Sequence, residues 1–171
     1  HTGQGNSLLT TEPFSDISGA TSPTYNTGTC TYADDHADQY RCKLTATGAT
    51  ADVFTSAALL TVYRTHNVTL QPSNATGNEG GTSSYTVAGN TSSGTHTYQW
   101  SKSDNGVDYN IIPGATNATY TTPALVFADD NDDRYKCTLS LVGAQSSIES
   151  TYAVQTVLRV ISIQTQPQPQ T

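Results

Sequence analysis

The sequence has few charged residues and very few basic ones. Charged residues make up 12% of the chain, and 7 Lys or Arg stand against 14 Asp or Glu, which gives a formal net charge of -7. Nucleic acids and anionic membranes bind clustered basic side chains, and no such cluster is present. We therefore expect no nucleic-acid partner.

Long apolar runs and methionine are also lacking. No run of 18 apolar residues occurs, so we expect no membrane insertion. The sequence has no Met and begins at His1 without a signal-peptide pattern, which indicates a processed terminus or a cut through a longer protein. About a quarter of the residues are Ser or Thr, and Thr suits β-strands. This composition favours an extracellular or surface protein over a cytosolic enzyme.

Two of the three cysteines lie two residues after a tyrosine, in Tyr40-Arg41-Cys42 and Tyr135-Lys136-Cys137. On a strand this spacing places both side chains on one face. It is typical of the tyrosine corner of an immunoglobulin-type sandwich, in which the phenol hydrogen-bonds to backbone near the preceding turn. The pattern predicts a structural role for these four side chains.

The cysteine count is odd, so at least one thiol is free. The candidate strand B, residues 83–87, contains no Cys to pair with Cys137. We predict that Cys137 is a buried free thiol. The sequence leaves open whether Cys30 and Cys42 form a disulfide, because it does not give their separation.

A repeat of 95 residues runs through the chain without a gap. Residues 17–21 match 112–116, and residues 33–35 match 128–130. A period near 95 fits one sandwich domain of the immunoglobulin class. We predict an all-β fold with two immunoglobulin-like β-sandwich domains in tandem.

The second domain, residues 66–160, has a candidate for each expected strand. Trp100 on strand C should face the core opposite Cys137. The candidates are strand A at 67–72, a Gly-rich turn at 78–81, strand B at 83–87, strand C at 97–100, a hairpin turn at 104–106, strands within 118–127, strand F at 133–142 and strand G at 148–160.

The first domain, residues 1–64, is incomplete by the same offset. His1 falls on His96, so this domain contains strands C to G and lacks strands A and B, while residues 161–171 begin a further strand A. An open sandwich exposes apolar surface and unpaired edges that attract another strand.

Two explanations remain open for this incomplete domain. The chain is a slice of a long tandem array, or copies of it join head to tail, the overhanging strand of one completing the sandwich of the next as a donor strand. A heterologous contact of the second kind builds a filament. The overhang supplies no strand B, so this complementation is imperfect unless residues 6–11 rearrange.

Several of these segments together resemble the tandem immunoglobulin-like repeats of bacterial surface proteins and tailed-phage virion proteins. The segments are Gln71-Pro72, Asn78-Glu79-Gly80-Gly81, Thr97-Tyr98-Gln99-Trp100, Ile112-Pro113-Gly114-Ala115-Thr116, and Ala128-Asp129-Asp130 through Tyr135-Lys136-Cys137. The resemblance covers the second copy fully and the first from about Ile17. It implies a spacer, stalk, filament or adhesion module and no enzymatic activity.

Two acidic turns, residues 34–38 and 129–133, raise the question of a metal. Carboxylates of Asp129, Asp130 and Asp132 are the hard oxygen ligands that Ca²⁺ prefers, although the spacing does not match an EF-hand. The alternative is a solvated turn in which Asp side chains cap backbone amides. We predict no cofactor, with Ca²⁺ at these turns as the alternative.

Four sequons predict covalent glycans on exposed asparagines, which would suit an extracellular fibre. They begin at Asn67, Asn74, Asn90 and Asn117.

Two further hypotheses concern single residues. His1 with a second imidazole from His36, His66 or His96 would be needed for the copper site of a lytic oxidase. Tyr109 and Tyr152 could stack on sugars and so favour a glycan-binding adhesin. We predict instead a non-enzymatic structural subunit of an extracellular fibre, with a virion fibre or large adhesin as the alternative.

Overall fold

The structure is a computed structural model that describes residues 14–159, 161, 163 and 165. The chain forms two compact units, His1–Tyr63 (unit 1) and Arg64–Thr171 (unit 2). Within the described residues, no helix has the length and apolar character needed to cross a membrane. Residues 1–13 and most of 160–171 lie outside the description, and with them the predicted overhanging strand.

Residues 14–63 of unit 1 contain one single-turn helix and four two-residue strands. These are α1 (Tyr32–Asp35), β1 (Gln39–Tyr40), β2 (Lys43–Leu44), β3 (Val53–Phe54) and β4 (Ala58–Leu59). β1 pairs with β4 and β2 pairs with β3, both antiparallel. No residue from 14 to 63 is buried.

Residues 64–159 of unit 2 contain ten strands and a second single-turn helix. These are β5 (His66–Leu70), β6 (Ala75–Asn78), β7 (Ser84–Thr86), β8 (Ala88–Thr91), β9 (Thr97–Ser103), β10 (Asn110–Ile111), β11 (Thr119–Thr121), α2 (Phe127–Asp130), β12 (Arg134–Ser140), β13 (Ile148–Glu149) and β14 (Ala153–Leu158).

The strands of unit 2 form two layers. One sheet has the order β10-β9-β12-β14-β6, with β13 also paired to β12. The other layer consists of the pairs β5-β8 and β11-β7. The all-β immunoglobulin-like fold predicted from the sequence is confirmed.

Strand A is split between the two layers. β5 pairs antiparallel with β8 and has an irregularity between Val68 and Leu70, whereas β6 pairs parallel with β14. The buried Pro72 lies between the halves, where a residue without an N–H cannot continue a ladder. The strand predicted at 67–72 therefore corresponds to β5, and β6 is a second part of strand A that follows the predicted bounds.

The core of unit 2 is built on stacked aromatic rings. Tyr85 and Tyr135 stack with ring centroids 4.6 Å apart, and Trp100 is completely buried beside them. The Trp100 indole N–H donates to the backbone oxygen of Asn117 at 2.9 Å, and the Tyr85 hydroxyl donates to Gln155 Oε1 at 2.6 Å. The polar atoms of the Trp100 and Tyr85 rings are thus paired, as buried polar groups require.

Trp100 lies in the core as predicted. The pairing of two strands sets its position relative to Cys137. The two residues are direct cross-strand partners on β9 and β12, so they are neighbours within one sheet. Cys137 is completely buried and its thiol is free, as predicted.

The tyrosine corner differs from the prediction in unit 1. The Tyr40 hydroxyl donates to the carboxylate of Asp38 at 3.4 Å, where a backbone acceptor was expected. Asp38 precedes Tyr40 by two residues, so its side chain lies on the same face and reaches the phenol.

Candidate functional site

The two units repeat the same local structure at an offset of 95 residues. Helices α1 and α2 occupy equivalent positions, as do β1 and the start of β12, and β3 and β13. Ala37 and Asp132, also 95 residues apart, both have positive φ, at 74° and 69°. The sequence repeat is therefore a structural repeat, even at a strained turn position.

The hydrogen bonds repeat as well. The Cys42 amide donates to Thr55 Oγ1 at 3.0 Å, and the Cys137 amide donates to Ser150 Oγ at 2.9 Å. The rings of Tyr25 and Tyr40 lie 5.8 Å apart at 32°, which are also the values for Tyr120 and Tyr135. Unit 1 thus presents the same face as one layer of unit 2.

We call this face of unit 1 the inner face. It consists of Ile17, Tyr25, Tyr40, Cys42, Leu44, Val53 and Ala58. The counterparts in unit 2 form the core cluster or pack against it, and they are Ile112, Tyr120, Tyr135, Cys137, Leu139, Ile148 and Ala153.

Equivalent residues of the two copies differ in how far they are buried. Leu139 is 0% exposed in unit 2, whereas its counterpart Leu44 is 57% exposed in unit 1. Cys137 is buried and Cys42 is exposed. The inner face of unit 1 therefore carries core residues in core register that the described residues of unit 1 do not cover.

In unit 2 this face is covered by strands β5, β7 and β8, which form the second layer together with β11. Tyr85 and Val87 from this layer belong to the core, and a Cβ placed on Gly89 would lie 2.8 Å from Leu139 Cδ2. Strands β5, β7 and β8 fall within residues 66–91, and the 95-residue offset gives them no counterpart within residues 14–63.

The opposite, outer face is occupied in both units by a cation against an aromatic ring. In unit 1 the Arg41 guanidinium lies 4.1 Å from the Phe14 centroid and 4.3 Å from that of Phe54. In unit 2 the Lys136 ammonium lies 4.4 Å from the Tyr109 centroid and forms an ion pair with Glu149 at 2.8 Å. The outer faces are alike, so the difference between the units lies on the inner face.

The calcium site predicted at Asp129, Asp130 and Asp132 stays a prediction, and the structure shows other contacts for two of these side chains. Among the residues that the structure describes, no three His, Cys, Asp or Glu side chains converge to hold a metal ion. Asp130 instead caps α2, because its Oδ2 accepts the Val126 N–H at 2.7 Å. Asp132 Oδ2 accepts from the Asn131 amide. The alternative interpretation, Asp side chains capping backbone amides, describes this turn.

A buried ion group, which the sequence analysis did not find, lies beside this turn. The Lys102 ammonium is 3.0 Å from Asp130 Oδ1 and 2.5 Å from Asp133 Oδ2, and Asp133 is 1% exposed. Burial raises the pKa of Asp133, and the hydrogen bond and charge of Lys102 oppose that rise. Burial lowers the pKa of Lys102, but the hydrogen bonds and charges of Asp133 and Asp130 outweigh it, so that pKa is raised. Lys102 follows Trp100 by two residues on strand C, so both side chains lie on the inner face of that strand. A charged residue at such a position is the sequence signal that could have indicated this ion group.

Removing the cation should strongly destabilise unit 2. We expect Lys102→Met to lower the free energy of unfolding at pH 7 by about 2–4 kcal/mol, because Asp133 then stays buried without its partner. Since the pKa of Asp133 would rise further, acidification below pH 7 should restore part of the loss. In the wild type, the stability linked to the raised pKa of Lys102 should be lost as the pH rises through that pKa. Urea unfolding followed by Trp100 fluorescence measures both effects.

The matched control is Lys136→Met, which removes an ion pair to Glu149, a side chain that is 54% exposed. That change should cost no more than about 1 kcal/mol. Equal losses in the two variants would contradict the assignment of Lys102 to a buried ion group.

The four sequon asparagines, Asn67, Asn74, Asn90 and Asn117, are all exposed. Asn67 and Asn90 are direct cross-strand partners on β5 and β8. The side-chain oxygen of Asn74 accepts the Val154 N–H at 2.8 Å, which leaves its amide nitrogen free for a glycan. Each position is accessible for modification, and their occupancy stays a prediction.

The thiols of Cys30 and Cys42 are both free, so the disulfide that the sequence left open is not formed. Cys30 Sγ lies 3.2 Å from Thr27 Oγ1. Burial raises the pKa of the Cys137 thiol to about 11, and a backbone hydrogen bond from Gln99 opposes the rise. Cys42 is therefore an accessible thiol, and Cys137 is an inert one.

The remaining candidate site residues are His1, Tyr109 and Tyr152. His1 lies outside the described residues, so the copper hypothesis keeps its status as a hypothesis. Tyr109 and Tyr152 each have a cation over the ring, Lys136 for the first and Arg134 at 4.6 Å for the second. A sugar would have to use the other side of either ring.

A family model described as "Domain of unknown function (DUF8696)" matches residues 67–157, a little over half of the chain. No curated protein sequence matches the chain.

Among solved structures the chain is similar to tandem immunoglobulin domains. "Sidekick-1 immunoglobulin domains 1-5" is 17% identical, with 72% of this chain and 26% of that chain covered and a TM-score of 0.43. "Tandem Ig repeats of Dlar" is 16% identical, with 71% and 62% covered and a TM-score of 0.44. The chain spans about a quarter of the Sidekick-1 structure. The assignment of the fold rests on the chain's own sheets and its 95-residue repeat.

Proposed function

The chain belongs to the family described as Domain of unknown function (DUF8696), and we propose that it is a non-enzymatic structural subunit of an extracellular fibre. Copies join head to tail, and strands from one copy cover the inner face of unit 1 in the next. The exposed inner face carries this proposal. Its residues have the register and hydrogen bonds of a core layer, and Leu44 is 57% exposed where Leu139 is 0% exposed.

The physical reason is the cost of leaving such a face open. An exposed, contiguous apolar face on a sheet is a typical docking surface, and unpaired strand edges accept further strands. Covering it would bury side chains already held in position by the hydrogen bonds of β1 to β4. A contact between two different surfaces repeats without closing and so builds a filament.

The extracellular setting is supported by composition and accessible sequons. Charged residues are few, Ser and Thr are abundant, and the four sequon asparagines are exposed. We propose glycans on Asn67, Asn74, Asn90 and Asn117. The resemblance to bacterial surface and phage virion repeats suggests the kind of fibre.

The test is sedimentation velocity over a range of concentrations, followed by electron microscopy of the assembled sample. The proposal expects 18.1 kDa chains that associate into open, linear particles with one chain per axial step. A chain that stays monomeric at millimolar concentration would contradict it.

The alternative is a repeat segment of a virion fibre or large adhesin, in which preceding strands of a longer chain cover the inner face. The exposed inner face supports this alternative equally, because either source supplies the missing layer. A denaturing gel of the native material separates the two. A band near 18.1 kDa favours the filament subunit, and a much larger band favours the array.

A further inference from the structure

Two histidines of unit 2 lie in contact where strand A begins. His66 opens β5, and His96 immediately precedes β9, so the pair bridges the two layers. His66 Nδ1 and His96 Nε2 are 3.2 Å apart, and the rings stack at 25° with centroids 5.3 Å apart. The repeat does not explain this pair, since the counterpart of His66 in the 95-residue register is Ile161.

The hydrogen bonds around His66 fix its tautomer. His66 Nε2 lies 2.8 Å from the backbone oxygen of Ser146, which can only accept, so the proton is on Nε2. The lone pair of Nδ1 therefore faces His96. A ring N–H held by a backbone carbonyl, with the other nitrogen presented as a lone pair, is the usual arrangement of a histidine that binds a metal.

The separation of the two nitrogens fits one shared ion. Two imidazole nitrogens on a tetrahedral Zn²⁺ at about 2.0–2.1 Å lie roughly 3.3 Å from each other. The observed separation is 3.2 Å. A small rotation of the rings would turn both lone pairs toward a common point.

The surroundings of His66 are open. His66 lines an open depression of about 460 Å³ whose other walls are residues 65, 67 and 90–92. Burial, and then the neighbouring His66, lowers the pKa of His96, so this imidazole is neutral at pH 7 as a ligand must be. A Cβ on Gly89 would lie 2.9 Å from His96 Cε1, so glycine leaves room for this ring.

We propose that His66 and His96 form a two-histidine site for a divalent transition cation such as Zn²⁺, with water in its remaining coordination positions. Binding replaces the hydrogen bond between the rings with two metal–nitrogen bonds, and the proton on His96 Nε2 moves to Nδ1. The ion then joins strand A to strand C at one end of the sandwich. This inference is independent of how unit 1 is covered.

The experiment is a calorimetric titration with Zn²⁺ alone at pH 7.5. All proteins carry His1→Gln, Cys30→Ser and Cys42→Ser, which remove other strong ligands and leave His36 as the accessible histidine for the control. We expect one ion to bind per chain. His66→Gln and His96→Gln should each weaken binding at least tenfold, and the matched control His36→Gln should leave it unchanged.

A second measurement does not depend on the variants folding. In the parent protein, addition of Zn²⁺ should shift the imidazole NMR signals of His66 and His96 and not that of His36. Binding no tighter than 1 mM, binding that survives both substitutions, or shifts confined to His36 would each overturn the proposal.

Discussion

Leu139→Ala is expected to destabilise unit 2 by about 2–5 kcal/mol, the usual cost of truncating a fully buried leucine. Leu139 is 0% exposed, and its Cδ2 lies against the backbone at Gly89. The only Trp of the chain, Trp100, is buried in the same core. Its fluorescence in a urea titration therefore reports the unfolding of unit 2 alone.

The matched change in unit 1 should have almost no effect in dilute solution. Leu44 occupies the equivalent position and is 57% exposed, so Leu44→Ala should cost less than about 0.5 kcal/mol. Hydrogen exchange of the Leu60 amide, which donates to the Asp38 carbonyl at 2.8 Å, reports the local stability of unit 1.

The two variants together test the assignment of the inner face. A loss at Leu44 comparable to that at Leu139 would mean that the dilute chain already covers this face. At concentrations where the wild-type chain assembles, the cost of Leu44→Ala should rise toward that of Leu139→Ala, because the partner strands then bury the leucine.

Leu44→Asp should weaken association of the chain by roughly 100-fold or more, because a carboxylate would have to be buried when the partner covers the inner face. Sedimentation velocity against concentration gives the dissociation constant for the variant and the wild type. The folded fraction of unit 2, read from Trp100 fluorescence, should be unchanged.

The matched control is Leu59→Asp. Leu59 is 63% exposed, slightly more than Leu44, and lies next to Ala58 on the opposite face of β4. We expect less than about a threefold change in the dissociation constant. If both variants lose association equally, the partner binds the outer face or binds without regard to face, and the proposed strand complementation fails.

The fold could be predicted from sequence because the repeat fixes register. A strict 95-residue offset between residues 17–21 and 112–116 aligns every later element of unit 1 in sequence with an element of unit 2. The strands of the core sheet could be identified from the Tyr-x-Cys spacing and from the position of Trp100. Both signals rest on the alternation of side chains along a strand, which is visible in the order of residue types.

Other features could not be read from sequence because they depend on contacts between distant residues. The division of strand A at Pro72 follows from which neighbour each half meets, β8 or β14. The acidic residues at 129–133 matched calcium chemistry by composition, but a cap and a lysine from strand C occupy Asp130. The contact of His66 with His96 spans 30 residues and has no local pattern.

The most direct test of the central claim is the reactivity of Cys42, which lies on the inner face with its thiol exposed. In a Cys30→Ser background, a maleimide should label Cys42 rapidly in the dilute monomer and at least tenfold more slowly in the assembled sample, because partner strands cover it. Cys137 should stay unlabelled in both, since it is buried and its thiol pKa is raised to about 11. Equal labelling rates of Cys42 in the two samples would contradict the account.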